Sequence, residues 1–219
     1  MTHMLTLENV FYRYKNSGTD VLKAINATFA QGKTHAIVGS SGSGKTTLLS
    51  IIAGLDSPSS GAVSINDEDL SKMDLDQYRR ERVSIIFQAF QLFPMLTALE
   101  NVSAPMHLNG INPTETTRKA IQLLQSVGID EPKQKRYPSN LSGGEQQRVA
   151  IARALSSGAK IILADEPTGN LDKSNSDSIM QILKNLASEN NYCVIIVTHD
   201  IEIANAADVT FRMSDGELK

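Results

Sequence analysis

Cysteine and long hydrophobic runs are almost absent from this chain of 219 residues. The one cysteine, Cys193, lies in the apolar segment Cys193–Val197, which is typical of a buried strand, so we expect a packed thiol rather than a nucleophile or a metal ligand. The apolar runs are far shorter than the roughly 20 residues that cross a bilayer, and residues 1–4 lack the basic and apolar stretches of a signal peptide. We therefore expect a soluble chain in the cytoplasm.

Paired histidines and a surplus of positive charge are also missing. The four histidines do not have the spacing of zinc ligands, and we predict no structural zinc. Lys and Arg number 21 against 24 Asp and Glu, which gives a formal net charge of −3 at pH 7. A protein that mainly coats nucleic acid needs clustered, surplus Lys and Arg, and the sequence has no local patch of that kind. We predict no nucleic-acid partner.

An apolar strand candidate, His35–Val38, runs directly into a glycine-rich loop that satisfies the pattern G-x-x-x-x-G-K-[ST]. Glycines let successive backbone N–H groups turn inward around a polyphosphate, and Lys45 adds a positive charge at the start of a helix. The Thr46 hydroxyl suits the Mg²⁺ that accompanies a nucleoside triphosphate. The apolar residues on both sides favour this interpretation over an ordinary serine and glycine loop. The loop consists of Gly39, Ser40, Ser41, Gly42, Ser43, Gly44, Lys45 and Thr46.

The length suits one substantial α/β core with an inserted subdomain. The predicted strands are Leu5–Phe11, Val21–Phe29, Thr34–Val38, Gly61–Ile65, Ser84–Phe87, Ile161–Ala164, Cys193–Val197 and Val209–Met213, with a turn at residues 16–18. The predicted helices are Pro113–Val127, Gly144–Leu155 and Ser174–Ser188. Ser174 and Asp177 have the spacing of a capping box for the last helix. The simplest architecture is a parallel sheet with crossover helices, interrupted by a helical insertion between about Ala89 and Leu155.

Two adjacent carboxylates, Asp165 and Glu166, close the apolar strand candidate that begins at Ile161. Asp165 stands at the carboxyl end of the strand, where it can hold Mg²⁺ directly or through water. Glu166 lies on the other side of the pleat, where it can receive a proton from an attacking water. Two carboxylates after a buried strand, in a chain that already has a phosphate loop, favour this interpretation over a solvated acidic turn.

Two further polar residues follow strand candidates of the same sheet. His199 comes directly after the strand that contains Val194, so it emerges at the edge where ligands of open α/β sheets gather. A lone histidine is more often structural, but this position favours a contact with phosphate. Gln88 stands likewise after the strand that begins at Ser84, and its neutral amide can ligate Mg²⁺ or position water.

A second glycine-containing segment, Leu141–Glu145, also opens a helix. Its hydroxyl and glycines make an anion-binding terminus that has no lysine. A triphosphate carries several negative charges and needs donors on more than one side, so both helix ends can serve one ligand. Whether they meet within one chain or across two copies does not follow from the spacing.

Taken together, these motifs resemble the ATP-binding cassette of ABC transporters over essentially the whole chain. The most specific match is Leu141–Arg148, which resembles the family signature and lies in the family's order between Gln88 and Ile161–Glu166, with His199 following. The resemblance implies an α/β P-loop NTPase fold with a mainly parallel core sheet, an N-terminal antiparallel β subdomain and an inserted helical subdomain. It implies one domain over residues 1–219, with a core at 1–88 and 156–219 and a helical signature subdomain at 89–155.

The resemblance also implies a Mg²⁺-dependent ATPase with roles for individual residues. The catalytic residues would be Glu166 as the base, His199 at the γ-phosphate, Lys45 and Gln88, and the Mg²⁺ ligands would be Thr46, Gln88 and Asp165. Tyr14 matches the aromatic residue that stacks on adenine, and Asp172 matches the loop along the dimer seam. The remaining ATP-binding residues would be Gly39, Ser40, Ser41, Gly42, Ser43, Gly44, Lys45, Thr46, Thr47, Ser142, Gly143, Gly144 and Glu145.

Two partners follow from the resemblance. In this family two cassettes pair head to tail, so Ser142–Glu145 of one copy would close on the ATP held by residues 39–47 of the other. A transmembrane permease would hold the pair at the inner face of the membrane. The segment Phe90–Leu96 carries more apolar side chains than a solvated loop should, and it either packs against the helical insertion or receives a helix of the permease.

The segments Gly54–Gly61, Leu96–Val102 and Ala164–Asp172 are most similar to lipoprotein-releasing and macrolide-exporting cassettes. They imply export or extraction of a lipoprotein, a macrolide or a peptide-like substrate. The alternative is a non-transport ABC ATPase that acts on ribosomes or DNA, which usually shows tandem cassettes, a long coiled-coil insertion or a basic surface. A GTPase switch would carry an N-K-x-D-type motif that recognises the base, and the sequence has none. A GTPase would also leave the signature segment unexplained.

Overall fold

A computed structural model of the protein describes residues 3–15 and 18–219, so residues 16 and 17 of the first predicted turn lie outside the described residues. The strands are β1 (His3–Tyr12), β2 (Leu22–Ala30), β3 (Thr34–Val38), β4 (Ser60–Ile65), β5 (Glu68–Asp69), β6 (Val83–Ile86), β7 (Ile161–Asp165), β8 (Cys193–Thr198), β9 (Val209–Ser214) and β10 (Glu217–Leu218). The helices are α1 (Lys45–Ile52), α2 (Leu75–Glu81), α3 (Ala98–Leu108), α4 (Pro113–Ser126), α5 (Glu131–Gln134), α6 (Gly143–Ser156), α7 (Lys173–Asn190) and α8 (Ile201–Asn205).

The core sheet has six strands in the order β10-β9-β3-β8-β7-β6. All its neighbouring pairs are parallel except β9 and β10. Val38 of β3 pairs with Thr198 of β8, and Asp165 of β7 pairs with Val197. The carboxyl ends of three adjacent strands therefore lie side by side, and the residues that follow them share one edge of the sheet.

The core sheet is covered on both faces, as a parallel sheet requires. Along β8, Cys193, Ile195 and Val197 belong to one hydrophobic cluster, and the alternate residues Val194 and Ile196 belong to another. All five are buried. Burial also raises the pKa of the Cys193 thiol to about 12, so the thiol is protonated at neutral pH. This confirms that the cysteine is a packed side chain.

A second, four-stranded sheet is formed mainly by the N-terminal strands, in the antiparallel order β2-β1-β4-β5. Its inner face contributes Leu5, Leu7 and Val10 of β1, all at most 1% exposed, to the cluster that also holds α1. Helices α3 to α6 all lie between β6 and β7, where α6 packs against α3 and α4. The fold class implied by the motifs, with an antiparallel β subdomain and a helical insert, is confirmed.

The capping box predicted from Ser174 and Asp177 is wrong. Helix α7 begins at Lys173, and its N-cap is Asp172, whose carboxylate accepts a hydrogen bond from the Asn175 N–H at 2.9 Å. Ser174 is already inside the first turn, so its side chain cannot cap the free N–H groups that precede it. Strand β6 also ends one residue earlier than predicted, at Ile86.

Candidate active site

A cavity of about 740 Å³ opens at the carboxyl ends of β3, β6, β7 and β8. The phosphate-loop segment and the polar residues after the other strands meet there, as their positions in the sequence predicted. The lining residues are Val21, Ser40, Ser41, Gly42, Gly44, Lys45, Thr46, Thr47, Gln88, Asp165, Glu166 and His199. Gly39 and Ser43 belong to the same loop, and the Ser43 hydroxyl is buried without a hydrogen-bond partner among the described residues.

The loop needs glycine at two places for physical reasons. A Cβ atom on Gly39 would lie 2.2 Å from the Met213 carbonyl oxygen, so only glycine lets the loop approach β9. Gly44 precedes α1 with φ +108°, a conformation that side chains rarely adopt. Within residues 3–15 and 18–219, no side chain caps α1, so its first N–H groups remain available to an anion.

Lys45 is buried to 7% exposure, and its ammonium group is held by the loop itself. Its Nζ donates hydrogen bonds to the carbonyl oxygens of Gly39 and Ser40, both at 2.9 Å. These acceptors are neutral, so they leave the ammonium charge at the edge of the cavity, where the Asp165 carboxylate offsets part of it. An anion that enters the cavity is attracted by that charge.

Asp165 carries a carboxylate in an unfavourable place for negative charge. Burial raises its pKa above the ordinary value, and the neighbouring charge of Glu166 raises it further. Lys45 and a hydrogen bond with the Thr46 hydroxyl oppose that shift. A carboxylate and a hydroxyl are hard oxygen donors, and with the Gln88 amide oxygen in the same cavity they form a donor set that suits Mg²⁺.

Glu166 is 17% exposed and has both carboxylate oxygens engaged. Its Oε1 lies 2.8 Å from Nδ1 of His199, and its Oε2 accepts a 3.3 Å hydrogen bond from the Thr198 hydroxyl. Because an ionised carboxylate only accepts hydrogen bonds, Nδ1 carries the proton in this arrangement, and Nε2 of a neutral ring has only a lone pair. His199 can donate to a phosphate oxygen only as the imidazolium or after its ring turns.

Gln88 has a partner that the sequence did not indicate. Its side-chain amide donates to Oδ1 of Asn170 at 3.3 Å, and Nδ2 of Asn170 donates back to the Gln88 carbonyl at 3.1 Å. Asn170 lies in the segment between β7 and α7, two residues before Asp172. The Gln88 loop is thereby connected to the segment that the resemblance places along the dimer seam.

Tyr14 lies beside the phosphate loop but faces an adjoining cavity of about 440 Å³. Its ring is 48% exposed and packs edge to face on Tyr12, with the ring centroids 5.0 Å apart. Its hydroxyl lies 3.1 Å from Oγ1 of Thr47. The exposed ring therefore lies beside the N-terminal turn of α1, which follows the phosphate loop.

The signature segment does not line either of these cavities among the described residues. Ser142 caps α6: its hydroxyl accepts from the Glu145 N–H at 3.3 Å, and the Glu145 carboxylate accepts from the Ser142 N–H at 2.8 Å. Lys133 lies 3.4 Å from the same carboxylate. Gly143 and Gly144 begin the helix in ordinary helical geometry. One chain thus keeps its two glycine-containing helix ends apart.

Asp172 is coupled to the signature helix through Asn175, a residue that sequence reasoning missed. Nδ2 of Asn175 donates to the Asp172 carboxylate at 2.8 Å, and the hydrogen bonds from Asn175 lower the pKa of Asp172. A Cβ atom on Gly144 would lie 2.2 Å from Oδ1 of Asn175. A side chain at this position of α6 would therefore force the Asn175 side chain of α7 to move.

Comparison with known proteins identifies the family. The model of the family described as ABC transporter matches residues 22–169. The chain is 43% identical over 215 residues to YclH of Bacillus subtilis strain 168, described as an uncharacterized ABC transporter ATP-binding protein, which covers 98% of this chain and 95% of that protein. Among the described residues, no helix has the length and apolar character needed to cross a membrane.

Solved structures agree. The bacterial ABC transporter cassette MJ0796, solved as a dimer and also in a post-hydrolysis state with ADP and Pi, is 40% identical with a TM-score of 0.88, over 99% of this chain and 97% of that one. The cbiO1 protein of Clostridium perfringens, part of the ABC transporter complex cbiONQ, is 32% identical with a TM-score of 0.90, over 100% of this chain and 88% of that one. The chain belongs to the ABC transporter family, as an ATP-binding subunit that hydrolyses ATP.

Proposed function

We propose that this subunit powers an exporter in which two copies enclose ATP head to tail and drive a membrane permease. The observation that carries the proposal is the separation of the two glycine-containing helix ends: the phosphate loop lines the 740 Å³ cavity with Asp165, Glu166 and His199, and the signature segment lies outside it. A second copy would supply the missing side. Residues 1–88 and 156–219 form the nucleotide-binding core, and residues 89–155 form the subdomain that presents the signature.

In this proposal Lys45 and the backbone N–H groups of residues 39–47 hold the phosphates. Thr46, Asp165 and Gln88 bind Mg²⁺, which when bound neutralises charge on the phosphate oxygens. Tyr14 stacks on adenine with its exposed ring.

Glu166 takes the proton of the attacking water, because its carboxylate oxygens accept from Thr198 and His199, which are not among the proposed metal ligands. His199 contacts the γ-phosphate after its ring turns from Glu166 or becomes protonated. The far side of the triphosphate is closed by the signature residues of the partner copy, which are Ser142, Gly143, Gly144 and Glu145. Asp172 lies next to them.

The permease would dock in a groove of about 570 Å³ beside the apolar segment Phe90–Leu96. Arg153 fixes this segment by donating to the carbonyl oxygens of Gln91 and Phe90, and its guanidinium lies 5.7 Å from the centre of the Phe93 ring. Leu108, on the same groove, is 88% exposed. An exposed apolar groove bordered by arginines fits an amphipathic helix with acidic residues, and such contact would place the chain at the inner face of the membrane.

Docking is tested by purifying the chain from membranes and identifying the polytopic protein that accompanies it. Leu108→Glu should lose that protein because it places a charge in the apolar groove. Leu55→Glu is the matched control, since Leu55 is also exposed, at 56%, but lies outside the groove. Equal recovery with both variants would remove the groove from the interface.

The transported substrate would be a lipoprotein, a macrolide or a peptide-like molecule, as the similarity of three segments to such cassettes suggests. The alternative, an ABC ATPase that acts on ribosomes or DNA, is disfavoured by the net charge of −3. The identity of the co-purified partner separates the two: a ribosomal protein or DNA would favour the alternative.

The base is tested with Glu166→Gln. The variant should bind ATP, lose turnover by a factor on the order of 10² or more, and accumulate an ATP-bound dimer in size-exclusion chromatography with Mg·ATP. Glu131→Gln is the control, because Glu131 is 81% exposed and lies on α5, outside the cavity. Turnover at the wild-type rate in a folded Glu166→Gln protein would remove Glu166 from the mechanism.

A further inference from the structure

We propose that Thr198 is a positioning residue that orients the carboxylate of Glu166 toward the attacking water. This inference rests on the proposed role of Glu166 as the base. Thr198 is the last residue of β8, 1% exposed, and none of the motifs assigns it a function.

The hydrogen bonds of the Thr198 hydroxyl direct its proton to Glu166. Oγ1 accepts a hydrogen bond from the Asp200 N–H at 3.0 Å, and it lies 3.3 Å from Oε2 of Glu166. A hydroxyl has one proton to donate, and a backbone N–H cannot accept it. The proton is therefore directed at the carboxylate, which fixes the rotation of the carboxylate plane.

The main chain of Thr198 connects the same residue to the phosphate loop. Its carbonyl oxygen accepts from the Gly39 N–H at 3.3 Å, and Thr198 pairs with Val38 in the parallel ladder. Threonine is branched at Cβ and stiff at χ1, so in this buried place the hydroxyl has little freedom. One residue thus sets the distance between the phosphate loop and the base.

The hydrogen bond from Thr198 matters most when the His199 ring turns away from Glu166. His199 is the other side chain that contacts the Glu166 carboxylate among the described residues, and it is 67% exposed. In the proposed mechanism its ring can turn to the γ-phosphate, which frees Oε1. The hydrogen bond from Thr198 then remains to hold the carboxylate in place through the proton transfer.

The chain contains a closely matched hydroxyl at the opposite end of the core sheet. Thr34, at the start of β3, is fully buried, donates to the Asp208 carboxylate at 2.7 Å and accepts from the Asp208 N–H at 3.0 Å. Removal of this hydroxyl should affect folding stability alone. Thr34→Val is therefore the control for a purely structural effect.

The test compares Thr198→Val, Thr198→Ser and Thr34→Val in steady-state ATP hydrolysis. Thr198→Val should lower kcat roughly 10-fold or more with KM for ATP unchanged, because a lost hydrogen bond to a charged group acts only on the base. Thr198→Ser should restore kcat to within about 2-fold, since serine keeps the hydroxyl. Thr34→Val should keep kcat. Binding of a fluorescent ATP analogue should be the same for all three, and Thr198→Val should accumulate more ATP-bound dimer than wild type.

A double variant shows whether Thr198 acts through Glu166. Adding Thr198→Val to Glu166→Gln should cause no further loss of residual turnover. A multiplicative loss, or wild-type kcat in Thr198→Val while Glu166→Gln is inactive, would overturn the inference and leave the base intact. Turnover retained in Glu166→Gln would instead refute the proposed base. If Thr198→Val does not fold, Thr198→Ala against Thr198→Ser gives the same comparison, since both lack the methyl group and only alanine lacks the hydroxyl.

Discussion

The two glycine-containing helix starts, at α1 and α6, are built in opposite ways. Gly44 precedes α1 in a left-handed conformation and, among the described residues, no side chain caps that helix. Ser142 precedes α6 with a complete capping box. The first helix start therefore keeps its N–H groups open for a ligand, whereas the second has already satisfied part of its own. This difference supports the proposal that α1 holds the phosphates and that α6 of a partner copy adds to that site.

The glycines at the two helix starts serve different needs. Gly44 is required by its backbone conformation and by close atoms of Met213 and Leu22. Gly144 has ordinary helical geometry, and a Cβ atom there would overlap the side chain of Asn175. The first glycine shapes a binding loop, and the second lets two helices approach. Glycine at a helix start thus has two different physical reasons in one chain.

The charges also differ. Lys45 places a buried positive charge at α1, whereas α6 carries the Glu145 carboxylate in its first turn. Burial by itself raises the pKa of Glu145, but hydrogen bonds from the Ser142 N–H and Lys133 lower it overall, so the group stays ionised. The carboxylate stabilises the helix dipole and opposes a free anion. In the proposed head-to-tail pair, the signature end therefore meets a nucleotide whose charge Lys45 of the other copy compensates.

Replacing the lysine beside each helix start by alanine tests this contrast most strongly. Lys45→Ala should lower the affinity for a fluorescent ATP analogue, and the turnover, by about 10²-fold or more, because it removes a preorganised donor from a poorly hydrated site. Lys133→Ala removes the lysine beside the other helix start, 3.4 Å from Glu145. This variant should leave the affinity of the monomer for the ATP analogue unchanged. Equal losses in both variants would mean that the two helix starts bind nucleotide alike.

Adding a methyl group at each of two neighbouring glycines tests whether packing against α7 is the reason for glycine at position 144. Gly144→Ala should lower the free energy of unfolding by about 1–3 kcal/mol, because the new Cβ would overlap Oδ1 of Asn175. Gly143→Ala should leave stability unchanged or slightly higher, since its Cβ would meet its nearest neighbours at 3.5 Å or more and alanine favours a helix. Urea unfolding measures both.

The same clash can be relieved from the other side. Gly144→Ala with Asn175→Ala should be more stable than Gly144→Ala alone, because the double variant removes the atom that is overlapped. If the two losses simply add, contact with Asn175 is not the reason for glycine at this position.

The meeting of the phosphate loop, Asp165, Glu166 and His199 was predictable because parallel strands bring their carboxyl ends to one edge. That rule uses only strand order and apolar runs, which are local features of the sequence. The same reasoning left open whether the signature meets the loop within one chain. Among the described residues it does not, since no residue of the signature lines the cavity that the loop lines.

The contacts that the sequence did not reveal are those between side chains far apart in the chain. Gln88 and Asn170 are 82 residues apart, and they meet only because β6 and β7 are neighbours in the sheet. Gly144 meets Asn175 because α6 packs against α7. The capping box at Ser174 was wrong for a local reason: Asp172 lies two residues earlier and accepts from Asn175. Spacing shows which residues can cap a helix, and the backbone decides which one does.

Removal of the caps gives the smallest expected effect and the cleanest comparison. Ser142→Ala should lower the free energy of unfolding by about 1 kcal/mol, equivalent to a shift in Tm of roughly 2–4 °C, because the Glu145 N–H loses its acceptor. Thr97 forms the same capping box at α3, where Glu100 is its partner, so Thr97→Ala should cost a similar amount. Thermal unfolding by circular dichroism measures both shifts.

The two cap variants should differ only in activity. Ser142→Ala should raise the KM for ATP and reduce dimer formation with Mg·ATP, because the hydroxyl is proposed to contact the partner's nucleotide, whereas Thr97→Ala should keep both at wild-type values. Equal activity after equal loss of stability would show that Ser142 serves α6 alone. Any contact of the signature end with phosphate would then come from its backbone N–H groups, as is proposed for α1.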